Sequence, residues 1–196
     1  MKKTNNNLHE TEKAFISFKT AFNPETATLL LNIDNKSPNL ELKKAEAEKL
    51  GLSEKEEFHF TIIGSRTGEE ILKLLEKLSE VEKNTKLDEI QKLYESADFK
   101  ISLQNVFYYI QKEYNDTDPD NSEQTLNEKR QSIVQISEIT GLNDFYQKLN
   151  LLLGTDFDAS FPHLTLYTTS TRKDKILRGI GIYSENQFHE LNSKKI

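Results

Sequence analysis

The chain of 196 residues has no cysteine and no tryptophan, one methionine, four prolines and seven glycines. Without cysteine there is no disulfide framework, no thiolate zinc site, no iron–sulfur cluster and no cysteine nucleophile. Histidine is scarce too: His9, His59, His163 and His189 are all there are, so a multi-histidine metal site would consume most of them. Long apolar runs are missing. The best stretches, Thr28–Ile33 and Leu149–Leu153, fall far short of the ~20 residues a spanning helix needs. The N-terminus opens with Lys2 and Lys3 but lacks the apolar core of a signal peptide. A cytoplasmic protein that does not enter membranes is the expectation. Positive charge is also in short supply, with a formal net charge of -6. That balance disfavours long duplex nucleic acid, whose phosphates attract a positive field. A short phosphorylated ligand held by a few local donors is still allowed.

What is present alternates between strand and helix signals. Ala27–Asp34 reads as a strand, Asn39–Leu50 as a helix closed by Gly51, and Glu57–Gly64 as a second strand. Ile71, Leu74, Leu75, Leu78 and Val81 make an apolar stripe that predicts a helix over Thr67–Lys83, with further helix through Leu87–Ser96. Asp98–Tyr114 and Arg130–Ser137 read as extended runs joined by a polar loop, Asn115–Lys129. Leu142–Leu153 reads as a helix ending at Gly154, and Phe161–Thr169 and Gly179–Ser184 as the last strands. The expectation is an α+β fold in which residues 26–196 form a single two-lobed domain and residues 1–25 an N-terminal extension.

Two of these strands carry the chemistry. His59-Phe60-Thr61-Ile62 and His163-Leu164-Thr165-Leu166 each set an imidazole and a hydroxyl on one face, because strand side chains alternate, about 7 Å apart. His9-Glu10-Thr11 has the same spacing but no apolar alternation around it, and His189 is followed at that spacing by Leu191. Neither qualifies. Two imidazoles and two hydroxyls across a cleft suit phosphodiester chemistry. One neutral imidazole removes a proton, the other donates one to the leaving oxygen, and the hydroxyls donate to the non-bridging phosphate oxygens. The scheme calls for no cofactor and no metal.

The pair resembles the signature of the 2H phosphoesterase superfamily, His-hydrophobic-Thr/Ser-hydrophobic present twice, and both copies match in full. The likeness covers roughly residues 27–184. It implies a bilobal pseudo-twofold fold, two antiparallel sheets facing a central cleft with outer helices, and a metal-independent site. It also implies that His59 and His163 are the catalytic pair and Thr61 and Thr165 the phosphate ligands. The expected substrate is a small nucleotide or RNA 3′-end: a 2′,3′-cyclic phosphate, or a cyclic mono- or oligonucleotide of the kind destroyed by phage anti-defence enzymes. RNA end processing with 2′-5′ ligase activity, and a non-catalytic nucleotide-binding module, are the alternatives. A monomer is expected.

Four further residues are candidate substrate contacts. Tyr167 is expected to share the face of His163 and Thr165. Arg66 follows the first motif strand and Arg172 the second, where each would supply positive charge at the rim. Tyr109, in the Phe107-Tyr108-Tyr109 run, is a candidate base-stacking surface.

Overall fold

Leu29, Leu31 and Ile33 are buried while Leu30 and Asn32 are half-covered, the period-two pattern of a strand with one face on a core. The same rule gives Phe58, Phe60 and Ile62 to the core and turns His59 and Thr61 the other way. The computed structural model describes residues 17–34, 38–117 and 125–196. Its strands are β1 (Ser17–Lys19), β2 (Leu29–Ile33), β3 (Ser53–Glu54), β4 (Phe58–Ile63), β5 (Lys100–Thr117), β6 (Thr125–Thr140), β7 (His163–Ser170) and β8 (Asn192–Lys195). The α-helices are α1 (Lys44–Leu50), α2 (Ser65–Leu75), α3 (Glu80–Ser96), α4 (Leu142–Leu153) and α5 (Glu185–Glu190). None of the described helices is long and apolar enough to cross a membrane.

The strands form two antiparallel sheets, so the α+β class holds. One sheet has the order β1-β2-β4 and the other β3-β7-β6-β5-β8. A single core serves both. Leu31 and Phe60 of the small sheet join Ile133 and Leu164 of the large one, with Ile71, Ile90, Tyr94 and Phe145 supplied by the helices. A second, smaller core of Ile110, Val134, Ile180, Ile182 and Phe188 lies on the opposite face of the large sheet. The strand Ser17–Lys19 pairs with β2 and falls inside the stretch read as an N-terminal extension; residues 1–16 lie outside those described.

The helix expected over Thr67–Lys83 is two helices. Ser79 accepts from the backbone of Glu82, and Glu82 accepts from the backbone of Ser79, a capping box that starts α3 where the stripe had seemed continuous. Leu78 and Val81, assigned to that stripe, are consequently 39% and 77% exposed. Helix α2 passes very close to the chain just ahead of β2: a Cβ at Gly68 would sit 1.8 Å from the carbonyl oxygen of Ala27.

The loop expected over Asn115–Lys129 is shorter, because its ends extend the two long strands. Glu113 to Thr117 pair with Lys129 to Thr125, beyond the residues where β7 and β8 flank the sheet, so this end is a two-stranded ribbon. Residues 118–124 are outside the described set. Gly179–Ser184 makes no ladder among the described residues. Its alternating Ile180 and Ile182 plug into the second core instead of pairing, and α5 and β8 follow where no element had been expected.

Candidate active site

The two histidine strands repeat one local register. In β4, His59 stands opposite Asn32, Thr61 opposite Leu30, and Ile63 opposite Leu29. In β7, His163 stands opposite Ile136, Thr165 opposite Val134, and Tyr167 opposite Ile133. Each strand therefore carries one extra residue directly after its threonine, Ile62 in one and Leu166 in the other. A bulge of this kind leaves ladder groups to be satisfied elsewhere. The Ser160 hydroxyl donates to the carbonyls of Thr61 (2.7 Å) and Ile62 (3.2 Å), and the Tyr146 hydroxyl donates to Ile62 at 2.8 Å. At the second bulge the Leu166 carbonyl accepts from the Lys55 backbone N–H at 3.0 Å. Ser160 stands just ahead of β7, so it ties the entry of one motif strand to the irregularity of the other.

His59, Thr61, His163 and Thr165 all line one cleft of about 730 Å³. The Phe161 carbonyl lies 2.8 Å from His163 Nδ1. A carbonyl only accepts, so Nδ1 carries the proton in either charge state and Nε2 is left to exchange one. Burial lowers the pKa of His163, partly opposed by that hydrogen bond. Burial, then the neighbouring charges of Lys55 and His163, pushes His59 from 6.5 to about 4. Both rings are thus neutral at pH 7 when the cleft holds no anion.

Residues 177–183 run across the cleft as a strap. Gly179 passes over the second threonine: a Cβ there would be 3.3 Å from Thr165 Oγ1. Tyr183 crosses to the other sheet, its hydroxyl 3.3 Å from Ser65 Oγ and its ring 3.1 Å from where a Gly64 Cβ would stand. Lys55, Arg130, Lys175 and Arg178 also line the cleft. Arg130 is clamped by Glu128 through 2.5 and 2.9 Å hydrogen bonds, and this contact, with Ser170, lowers the Glu128 carboxyl to about 2. Sequence reasoning missed these four cations and Tyr183. For the strap a signal existed: glycine and isoleucine alternate in Gly179-Ile180-Gly181-Ile182, which marks one bare face and one anchored face.

The structure does not bring the four secondary candidates to the cleft. Tyr167 is 3% exposed and its hydroxyl donates to the Leu40 carbonyl at 3.0 Å. The extra residue at Leu166 turns it away from Thr165 into the core, against the expectation of a shared face. Tyr109 faces the core opposite Ile133, its hydroxyl accepting from Gln131. Arg66 lies on the outside of α2, 3.8 Å from Glu70, and Arg172 pairs with Asp174 at 2.8 Å. Among the described residues no group of three or more His, Asp or Glu side chains is placed to hold a metal ion. Comparison with protein-family models, curated proteins and solved structures finds no match to this chain.

Proposed function

We propose that the chain is a phosphoesterase of the 2H type, its two lobes related by a pseudo-twofold axis through the cleft, acting without a metal on a small nucleotide or RNA 3′-end. The repeated register carries this reading: imidazole, hydroxyl and extra residue recur in the same order on two strands whose polar faces line one cavity. A cavity of about 730 Å³ suits a nucleotide-sized ligand.

In this mechanism the phosphate sits between the two rings. One neutral imidazole takes the proton of the attacking hydroxyl or water, and the other, as imidazolium, protonates the leaving oxygen. Because His163 Nδ1 is committed to the Phe161 carbonyl, the proton it handles is on Nε2. The Thr61 and Thr165 hydroxyls donate to the non-bridging oxygens, where negative charge sits in the transition state. The bulge contacts fix the backbone at these threonines, and the strap passes over Thr165.

The test is turnover in chelator across 2′,3′-cyclic and 3′,5′-cyclic mononucleotides, cyclic di- and trinucleotides, and a short RNA ending in a cyclic phosphate. His59→Ala and His163→Ala should each lower turnover at least about a hundredfold with the fold retained. Activity abolished by chelator and restored by Zn²⁺ or Mn²⁺ would sink the metal-free mechanism. Tight nucleotide binding with no turnover by folded protein would make the chain a binding module instead, and joining of RNA ends would make it a ligase.

A further inference from the structure

The chain carries a net charge of -6, yet its cleft is lined by Lys55, Arg130, Lys175 and Arg178 with Glu57 as the opposing carboxylate in the lining. Glu128, behind the wall, serves two of these cations: it clamps Arg130 and stands 3.6 Å from Lys175. Lys55 is spent on a neutral partner, its Nζ donating to the Leu177 carbonyl at 2.8 Å, with the charges of Glu57 and Glu56 reaching it from the same stretch of chain. Arg178, the next residue, is exposed and has no ion pair among the described residues.

These groups gather at one end. The Arg178 backbone is fixed from both sides, its N–H donating to the Lys175 carbonyl at 2.9 Å and its carbonyl accepting from Thr168 Oγ1 at 3.2 Å. Gly179, one residue on, touches Thr165. The cationic end therefore adjoins the hydroxyl assigned to the reacting phosphate. Glu56, Glu57 and Glu128 are set against three of the four cations, which leaves the charge of Arg178 over before any ligand binds, and Glu57 is the one carboxylate that lines the cavity with them. Concentrating positive charge in one cavity of an acidic protein focuses its field on a ligand with more than one anion.

We propose that Lys55, Lys175 and Arg178 form a subsite for a second phosphoryl group on the substrate, neighbouring the one that reacts. The inference rests on the phosphoesterase reading and adds the substrate class: a di- or oligonucleotide, or a nucleotide with a further phosphate, rather than a lone cyclic mononucleotide. Gly179 and Gly181 line the same cleft as these cations.

Calorimetry of the full chain with adenosine 3′,5′-bisphosphate and with adenosine 5′-monophosphate tests binding without needing turnover. The bisphosphate should bind at least about tenfold tighter, the size of one charge-assisted contact. In Lys175→Gln/Arg178→Gln that ratio should fall to within about twofold. Folding is safeguarded because Arg178 is exposed and Glu128 keeps Arg130. A second arm compares kcat/KM for 2′,3′-cyclic AMP with and without a 5′-phosphate. Equal binding by the wild type, or a ratio that survives the double substitution, overturns the subsite. A ratio that follows the substitution in a protein with no turnover supports the subsite while removing the enzyme reading, so the two fail separately.

Discussion

An anion entering the cleft should carry a proton in with it. In the empty site His59 is held at about 4, chiefly by burial and next by the Lys55 and His163 charges. A phosphate oxygen hydrogen-bonded to an imidazole brings unit charge to about 4 Å of the ring, which at an effective dielectric of about 20 is worth about 4 kcal/mol. That is about 3 pK units, enough to lift the ring from about 4 to near 7. The assay is NMR titration of the imidazole protons, assigned with His59→Gln, in the free protein and saturated with AMP. Calorimetry in two buffers of different ionisation enthalpy should show uptake of about one proton per ligand near pH 6. The free protein supplies an independent check on sign. Unfolded histidine takes its proton near 6.5 and folded His59 only near 4. Between those values the unfolded state binds more protons, so this contribution to stability is complete above about 6.5 and is lost as pH falls toward 4. A His59 resonance titrating at 6.5 in the free protein, or one moved less than about half a unit by the ligand, refutes the reasoning.

Three further outcomes are expected. Gly179→Val puts branched carbon against Thr165, whose hydroxyl is 3.3 Å from even a single Cβ, and should cut kcat by about tenfold or more while the melting temperature stays within a few degrees. Ser160→Ala strips a donor from the Thr61 and Ile62 carbonyls and should cost about 1–3 kcal/mol in denaturant unfolding. Gly68→Ala forces a Cβ to within 1.8 Å of the Ala27 carbonyl oxygen; it should destabilise by about 1–3 kcal/mol even though alanine is the better helix former. A stability gain in that last variant would show that α2 moves freely over the Ala27 backbone.

Alternation of apolar and polar residue types made β4 and β7 legible, and with them the face shared by His59 and Thr61 and by His163 and Thr165. Helix α4 was legible at its C-terminal end because Gly154 (φ 67°) takes the left-handed turn that closes it. Strict alternation then misled at Tyr167. One inserted residue reverses every face beyond it, and only the double apolar pairs Ile62-Ile63 and Leu166-Tyr167 hint at that reversal. The α2–α3 break was misread for a different reason: the apolar stripe spoke louder than the Ser79 and Glu82 spacing that ends it. Lys55, Arg130 and the Lys175–Arg178 turn come from three separate stretches of chain, and nothing local shows that long-range pairing gathers them. Arg66 and Arg172, which follow the two motif strands in sequence, pair with Glu70 and Asp174 and are not among the residues that line the cleft.

Past the backbone contacts of Lys129 with Thr171, the ladder at the outer end of the β5–β6 hairpin has one neighbour per strand, and a ribbon of two strands is only marginally stable by itself. Local opening should begin there, with the amides of Glu113 to Asn115 exchanging with solvent well before those of Ser132 or Val134, which sit between two neighbours. The Tyr114–Glu128 rung is part of that fraying end, and Glu128 is the carboxylate that restrains Arg130 and Lys175. Opening that reaches this rung and breaks the Ser170–Glu128 hydrogen bond would loosen the hold on both cations. The charge a visiting polyanion meets is therefore set partly by how tightly the β5–β6 ribbon at the edge of the cleft stays zipped, and a change at the ribbon should register as altered ionic-strength dependence of binding.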